Sequence, residues 1–207
     1  MKTMKLNDES DRYALDVYTL INAPSYEGTP RIVLSVLACS LSLEHWDSVR
    51  CLTRSRLLSS AVVVHRAQFE ELLRSLWRLH VATDLQISKL LADPTEEVDL
   101  NAANLHETEG MFLKLVAKVS HQASGALNSF NSDSWKALNS YAHMGIHPLR
   151  RHEHGHPPDI LESVLRNANG LAAAAGMQLA ALSGSETLIV EMLKLSEKHA
   201  SCMLPRL

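Results

Sequence analysis

Residues 59–91 read SSAVVVHRAQFEELLRSLWRLHVATDLQISKLL. Apolar side chains recur there every three or four residues, the spacing that gathers them on one side of an α-helix. Projected at about 100° per residue, Val62, Val63, Phe69, Leu72, Leu73, Leu76 and Trp77 fill an apolar arc about 180° wide. Asp93-Pro94 closes the run, because the residue before a proline is pushed out of helical geometry. No two-residue alternation persists elsewhere in the chain, so this stretch sets the class: all-α.

Working outward, Thr29-Pro30 reads as an N-cap with proline at the first helical position, opening a helix to about Val49. That helix is apolar over much of its surface and is expected at the centre. Before it come a short tail (1–8), a helix over about 9–22 with Tyr13, Val17, Leu20 and Ile21 on one side, and the turn APSYEGT (23–29). After 59–91 the pattern predicts a linker (95–104), a helix over 107–121, and a short helix from Trp135 to about His143 capped by Ser132-Asp133-Ser134. A Gly- and Pro-punctuated loop (145–158) and two closing helices (159–182 and 185–200) complete the chain. The expectation is a single-domain antiparallel bundle of six or seven helices, with no internal repeat and with 93–104 as the secondary candidate for a boundary.

The 207 residues are 46% hydrophobic and 21% charged, enough for one core. A net charge of -3 and 5% aromatic residues exclude a broadly basic polyanion binder and a base-stacking platform. Any nucleic-acid contact must use a local basic patch. The longest apolar runs, 32–43 and 171–182, are too short for a bilayer. Cys39, Cys51 and Cys202 show no metal or redox spacing and suit a reducing compartment. A cytoplasmic protein without membrane partner or cofactor is expected.

Two features break the helical pattern. Arg66 and Glu70 fall inside the apolar arc of 59–91 and Arg74 at its edge, forming an Arg-x3-Glu-x3-Arg ladder on the side that should meet the core. Charge there is costly unless paired, so these groups either pair with one another or line a polar cavity. His65 and His80, in or near the arc, read as core histidines satisfied by hydrogen bonds rather than as ligands.

The second feature is Tyr141-Ala142-His143-Met144-Gly145-Ile146-His147-Pro148-Leu149-Arg150-Arg151-His152-Glu153-His154-Gly155-His156-Pro157-Pro158. Metal-independent RNA cleavage needs a proton-transfer group and cations on the phosphate; histidine and arginine supply them. Metal binding is the other chemistry: His152, His154 and His156 on one side of an extended strand make three imidazole ligands, with Glu153 or His143 as a fourth. A solvated polar loop is the third reading.

The segment Arg151-His152-Glu153-His154-Gly155-His156 resembles the R-x4-6-H signature of HEPN-superfamily ribonucleases. That resemblance implies a small helical bundle that dimerises around a composite site and cuts RNA without metal, in toxin–antitoxin or anti-phage systems. It places Arg151 on the scissile phosphate and gives His156 the protons, with Arg150 as a second register. A broader resemblance links Arg66, Glu70, Arg74, Tyr141, His143 and Gly145 to an uncharacterised bacterial family with an Arg–Glu–Arg helix and a Y-[T/A]-H-x-G turn. It implies that ladder and turn form one polar centre, and Arg66, Glu70, Arg74, His143 and Arg150 are expected to bind the substrate phosphate or to organise the pocket. The expected function is therefore a HEPN-like endoribonuclease, homodimeric, with RNA as partner. The alternatives are a non-catalytic sensor, antitoxin or partner-binding module, and a protein that binds metal through its His-rich loop.

Overall fold

A computed structural model describes residues 2–22, 24, 28–92, 138, 140–143, 145–155 and 157–204. Among them are seven α-helices: α1 (Lys2–Leu20), α2 (Pro30–Arg54), α3 (Leu58–His80), α4 (Asp84–Leu91), α5 (Ile146–His154), α6 (Pro158–Leu182) and α7 (Glu186–Lys198). A 3-10 turn, Ala200–Cys202, closes the described chain. The described residues contain no strand, and the all-α bundle stands. The linker (95–104), the helix expected at 107–121 and its neighbour's cap at 132–134 lie outside the described residues.

α1 starts seven residues before the expected position, and the short tail (1–8) is largely helix. The reason is Leu6, which is buried with Ser10, Tyr13, Ala14 and Val17 on one helical face. α2 opens at Pro30 behind an extended Thr29, as the sequence predicts, although the Thr29 side chain makes no cap bond. It runs past Val49 to Arg54 because Trp46, Val49 and Thr53 continue its buried face.

α2 and α3 run antiparallel and close, along a seam of small polar residues. Ser35 Oγ donates to the Ser75 carbonyl at 2.9 Å, Cys39 Sγ lies 3.0 Å from Ser75 Oγ, and Ser42 Oγ donates to the Gln68 carbonyl at 2.8 Å. Gln68 Nε2 in turn donates to the Ala168 carbonyl of α6 at 2.9 Å. Each buried polar group on this seam thereby has a partner, which its burial requires.

At 25 residues, α2 exceeds the 12-residue apolar run read from the sequence. It is the one helix among the described residues long and apolar enough to cross a bilayer. It buries Leu34, Ala38, Leu43, Trp46 and Val49 against the bundle, while Val33, Leu37 and Leu41 are exposed.

The helix expected over 59–91 is two helices. α3 ends at His80, and Thr83 opens α4 with a capping box in which its hydroxyl accepts from the Gln86 N–H and the Gln86 side chain accepts from the Thr83 N–H. Arg31 of α2 seals the end of α3. Its Nη1 donates to the Arg78 and Ala82 carbonyls, each at 2.7 Å, and its Nη2 pairs with Asp84 at 2.7 Å. The Arg78 carbonyl lies in the last turn of α3, where carbonyls lack a partner within the helix, and a cation suits the negative end of its dipole.

The main core gathers Tyr13, Trp46, Phe69, Leu72, Leu165 and Met192, while Leu34, Trp77, Ala82 and Ile87 form a smaller cluster. α6 and α7 match the two expected closing helices to within about two residues. Asn169 of α6 accepts from Ser10 and Trp46 and donates to the Cys202 carbonyl. Arg166 donates to the Ser201 and Met203 carbonyls. Of the three cysteines, Cys51 is exposed; Cys39 and Cys202 are buried, and burial pushes their thiols up to about 12 and about 11.

Candidate functional site

The charged ladder lies along one side of α3. Arg66 Nε donates to Glu70 Oε1 at 2.8 Å, and Glu70 Oε2 faces Arg74 Nη2 at 3.6 Å. Arg74 also pairs with Glu71, whose second oxygen lies 3.9 Å from Arg78 Nη1. Arg78 donates to the Leu34 carbonyl of α2 at 3.3 Å. The side chains of Arg66, Glu70 and Arg74 are 19%, 17% and 23% exposed, so they face neither dry core nor bulk water.

Of the two outcomes open to the ladder, mutual pairing is observed. Its partners at i+3 and i+4 are the ones a helix brings together. Burial pushes the Arg78 guanidinium down from its ordinary value, and neighbouring Glu71 opposes that shift.

Glu71 and Arg78 extend the ladder beyond the residues singled out from sequence. Glu71-x2-Arg74 was open to the same i, i+3 rule. The contact of Arg78 with Leu34 depends on how α2 lies against α3, which no local pattern encodes.

His65 is buried, with Nδ1 3.1 Å from Gln68 Oε1, and burial brings its imidazole down to about 4. It is the hydrogen-bonded core histidine expected. His80 is exposed at the end of α3, and partial desolvation lowers it.

His143 joins the ladder from far along the chain. Its Nε2 lies 3.2 Å from Arg66 Nη1. It follows the helical residues 140–142, and Tyr141 is buried in the main core. Arg66, Glu70, Arg74 and His143 are thus brought together.

The expected loop 145–158 is largely a helix. Gly145 is the N-cap of α5, and Pro148 is its third residue. Proline is tolerated there because the first helical N–H groups have no internal partner. Gly155, at φ 79°, ends α5 in backbone that favours glycine, and Pro157-Pro158 opens α6.

This corrects the extended-strand geometry required for a three-histidine metal site. His152 and His154, two residues apart on a helix, point about 200° apart. Both are exposed, and His154 Nδ1 instead meets the Arg150 carbonyl at 2.9 Å. Among the described residues no three His, Cys, Asp or Glu side chains converge on a metal position. Arg150 is exposed on α5; Arg151 lies on the same helix with its side chain outside the described residues, as is all of His156.

Fold and site define an all-α bundle with a half-buried arginine–glutamate ladder, a histidine turn docked on it, and an exposed basic helix leading from that turn. The chain belongs to the family of unknown function DUF6988, which it matches over residues 39–205. No curated protein and no solved structure matches it.

Proposed function

We propose that this chain is a HEPN-like, metal-independent endoribonuclease, acting as a cytoplasmic homodimer of the kind found in toxin–antitoxin or anti-phage systems. The contact between Arg66 and His143 carries the reading, because it ties the ladder to the turn from which α5 departs with Arg150 and Arg151. Arg151, with Arg150 beside it, holds the scissile phosphate through a planar fork that stays charged. His156 takes the proton of the ribose 2′-hydroxyl as its oxygen attacks phosphorus, and a proton returns to the leaving 5′-oxygen.

The test is incubation of the wild type and the Arg151→Ala and His156→Ala variants with tRNA and mRNA in EDTA. Cleavage by the wild type alone is expected. A wild type no more active than its variants across pH and salt overturns the nuclease.

The ladder itself favours a second reading, a non-catalytic sensor, antitoxin or partner-binding module: each of Arg66, Glu70, Glu71, Arg74 and Arg78 has an opposite charge beside it. On that reading the wild type retains RNA on a filter without shortening it, or retains none.

A further inference from the structure

The turn that carries His143 is tighter than a connector requires. The Gly145 N–H donates to the Ser140 carbonyl at 2.7 Å. A Cβ on Gly145 would lie 2.5 Å from Ser140 Oγ and 3.0 Å from the Ser140 carbonyl oxygen. Glycine is therefore what lets the backbone close here. On the buried side Tyr141 anchors the turn in the core. His143 is exposed, with its ring on Arg66.

The chemistry of that contact specifies a tautomer. A guanidinium only donates hydrogen bonds. His143 Nε2, at 3.2 Å from Arg66 Nη1, therefore accepts in this contact, which puts the ring proton on Nδ1. Histidine free in water favours the other neutral tautomer. Arg66 is itself fixed, since its Nε donates to Glu70. Among the described residues, the ladder that begins with Arg66 holds the guanidinium groups of Arg66, Arg74 and Arg78 and the carboxylates of Glu70 and Glu71.

We propose that His143 is a ligand-binding residue, held by Arg66 and the Ser140–Gly145 turn in its Nδ1-protonated form, and that it donates this N–H to a phosphate oxygen. This rests on the reading of the site as phosphate-handling. It adds a contact outside the Arg151–His156 segment, made by an imidazole that binds rather than moves protons.

Nitrogen-15 histidine NMR of the whole protein tests it. In the wild type the His143 Nε2 resonance belongs in the unprotonated range and Nδ1 in the protonated range. Arg66→Lys keeps a donor and should keep that pattern; Arg66→Met should invert it, and Gly145→Ala should weaken it, with thermal melts confirming that each variant is folded. Inorganic phosphate, and separately a 2′-deoxy dinucleotide that cannot be cleaved, should shift the His143 Nδ1–H. His143→Ala should weaken phosphate binding by about tenfold, the loss of one hydrogen bond to a charged group.

A wild-type ring protonated on Nε2, a tautomer indifferent to Arg66→Met, or a ring that responds to neither probe overturns the proposal. A correct tautomer with a phosphate response, in a protein that cleaves no RNA, supports it and removes only the nuclease.

Discussion

Trp46 Nε1 donates to Asn169 Oδ1 at 2.8 Å, and the same oxygen accepts from Ser10 at 2.8 Å while the amide nitrogen donates to the Cys202 carbonyl at 2.8 Å. One side chain thereby fastens α1, α2, α6 and the closing turn. All the groups involved are buried, so removing the amide leaves an indole N–H, a hydroxyl and a carbonyl without their partner. Asn169→Ala should cost about 3 kcal/mol or more, measured by urea unfolding. A loss under about 0.5 kcal/mol, the range of surface substitutions, would show that the amide does not organise this junction.

His65 makes stability depend on pH. Its imidazole stands at about 4 in the folded protein against an ordinary value of 6.5, because burial disfavours its charged form. The folded state then binds fewer protons than the unfolded state between those values. The stabilisation is complete above pH 6.5 and drains away as pH falls towards 4. Its full size is about 3 kcal/mol. His65→Leu should flatten the profile of unfolding free energy between pH 7 and 4; wild-type and variant profiles of equal slope would refute the assignment.

In the ladder, the two carboxylates should differ. Arg66 and Glu70 are partly solvated, and a double-mutant cycle should return a coupling of about 0.5–1 kcal/mol that shrinks with salt. Glu71 is the more enclosed and lies between two guanidinium groups. Glu71→Gln should cost about 2 kcal/mol, more than Glu70→Gln. Equal losses for the two would mean that enclosure plays no part.

The start of α4 depends on Thr83. Thr83→Ala removes the hydroxyl that accepts from the Gln86 N–H and should cost about 1 kcal/mol. Exchange of the amide hydrogens in α4 should accelerate while those of α3 stay protected. Uniform acceleration through both helices would mean that they unfold as one.

The fold was legible wherever the apolar period and a terminal signal agreed. Thr29-Pro30 opened α2 correctly, and Ser183-Gly184-Ser185 separated α6 from α7. The failures have local causes. Thr83-x2-Gln86 is a helix start in its own right, but the apolar period carries on across it and masks the break. The Gly and Pro residues of 145–158 suggest a loop by their number, whereas their positions decide: Pro148 sits in a first turn, where it costs no hydrogen bond. Leu6 is a lone apolar residue among Lys5, Asn7, Asp8 and Glu9, so its stretch has the composition of a solvated tail.

Of the site, the ladder could be read because ion pairs three and four residues apart follow from helix geometry alone. The docking of His143 on Arg66 spans 77 positions and depends on a glycine whose need comes from contact with Ser140, not from any unusual dihedral angle. The distant partners of Asn169 were equally invisible, since an asparagine within an Ala-rich helix carries no mark of what it will touch.

The unequal accessibility of the three thiols offers a handle that needs no engineering. A maleimide dye or nitroxide added at neutral pH should attach at Cys51 on α2 and spare Cys39 and Cys202. Spin labels placed there report the separation between associated copies by pulsed dipolar spectroscopy, and a chain that remains single yields no dipolar modulation. The native protein can thus be asked about its own assembly with its sequence intact.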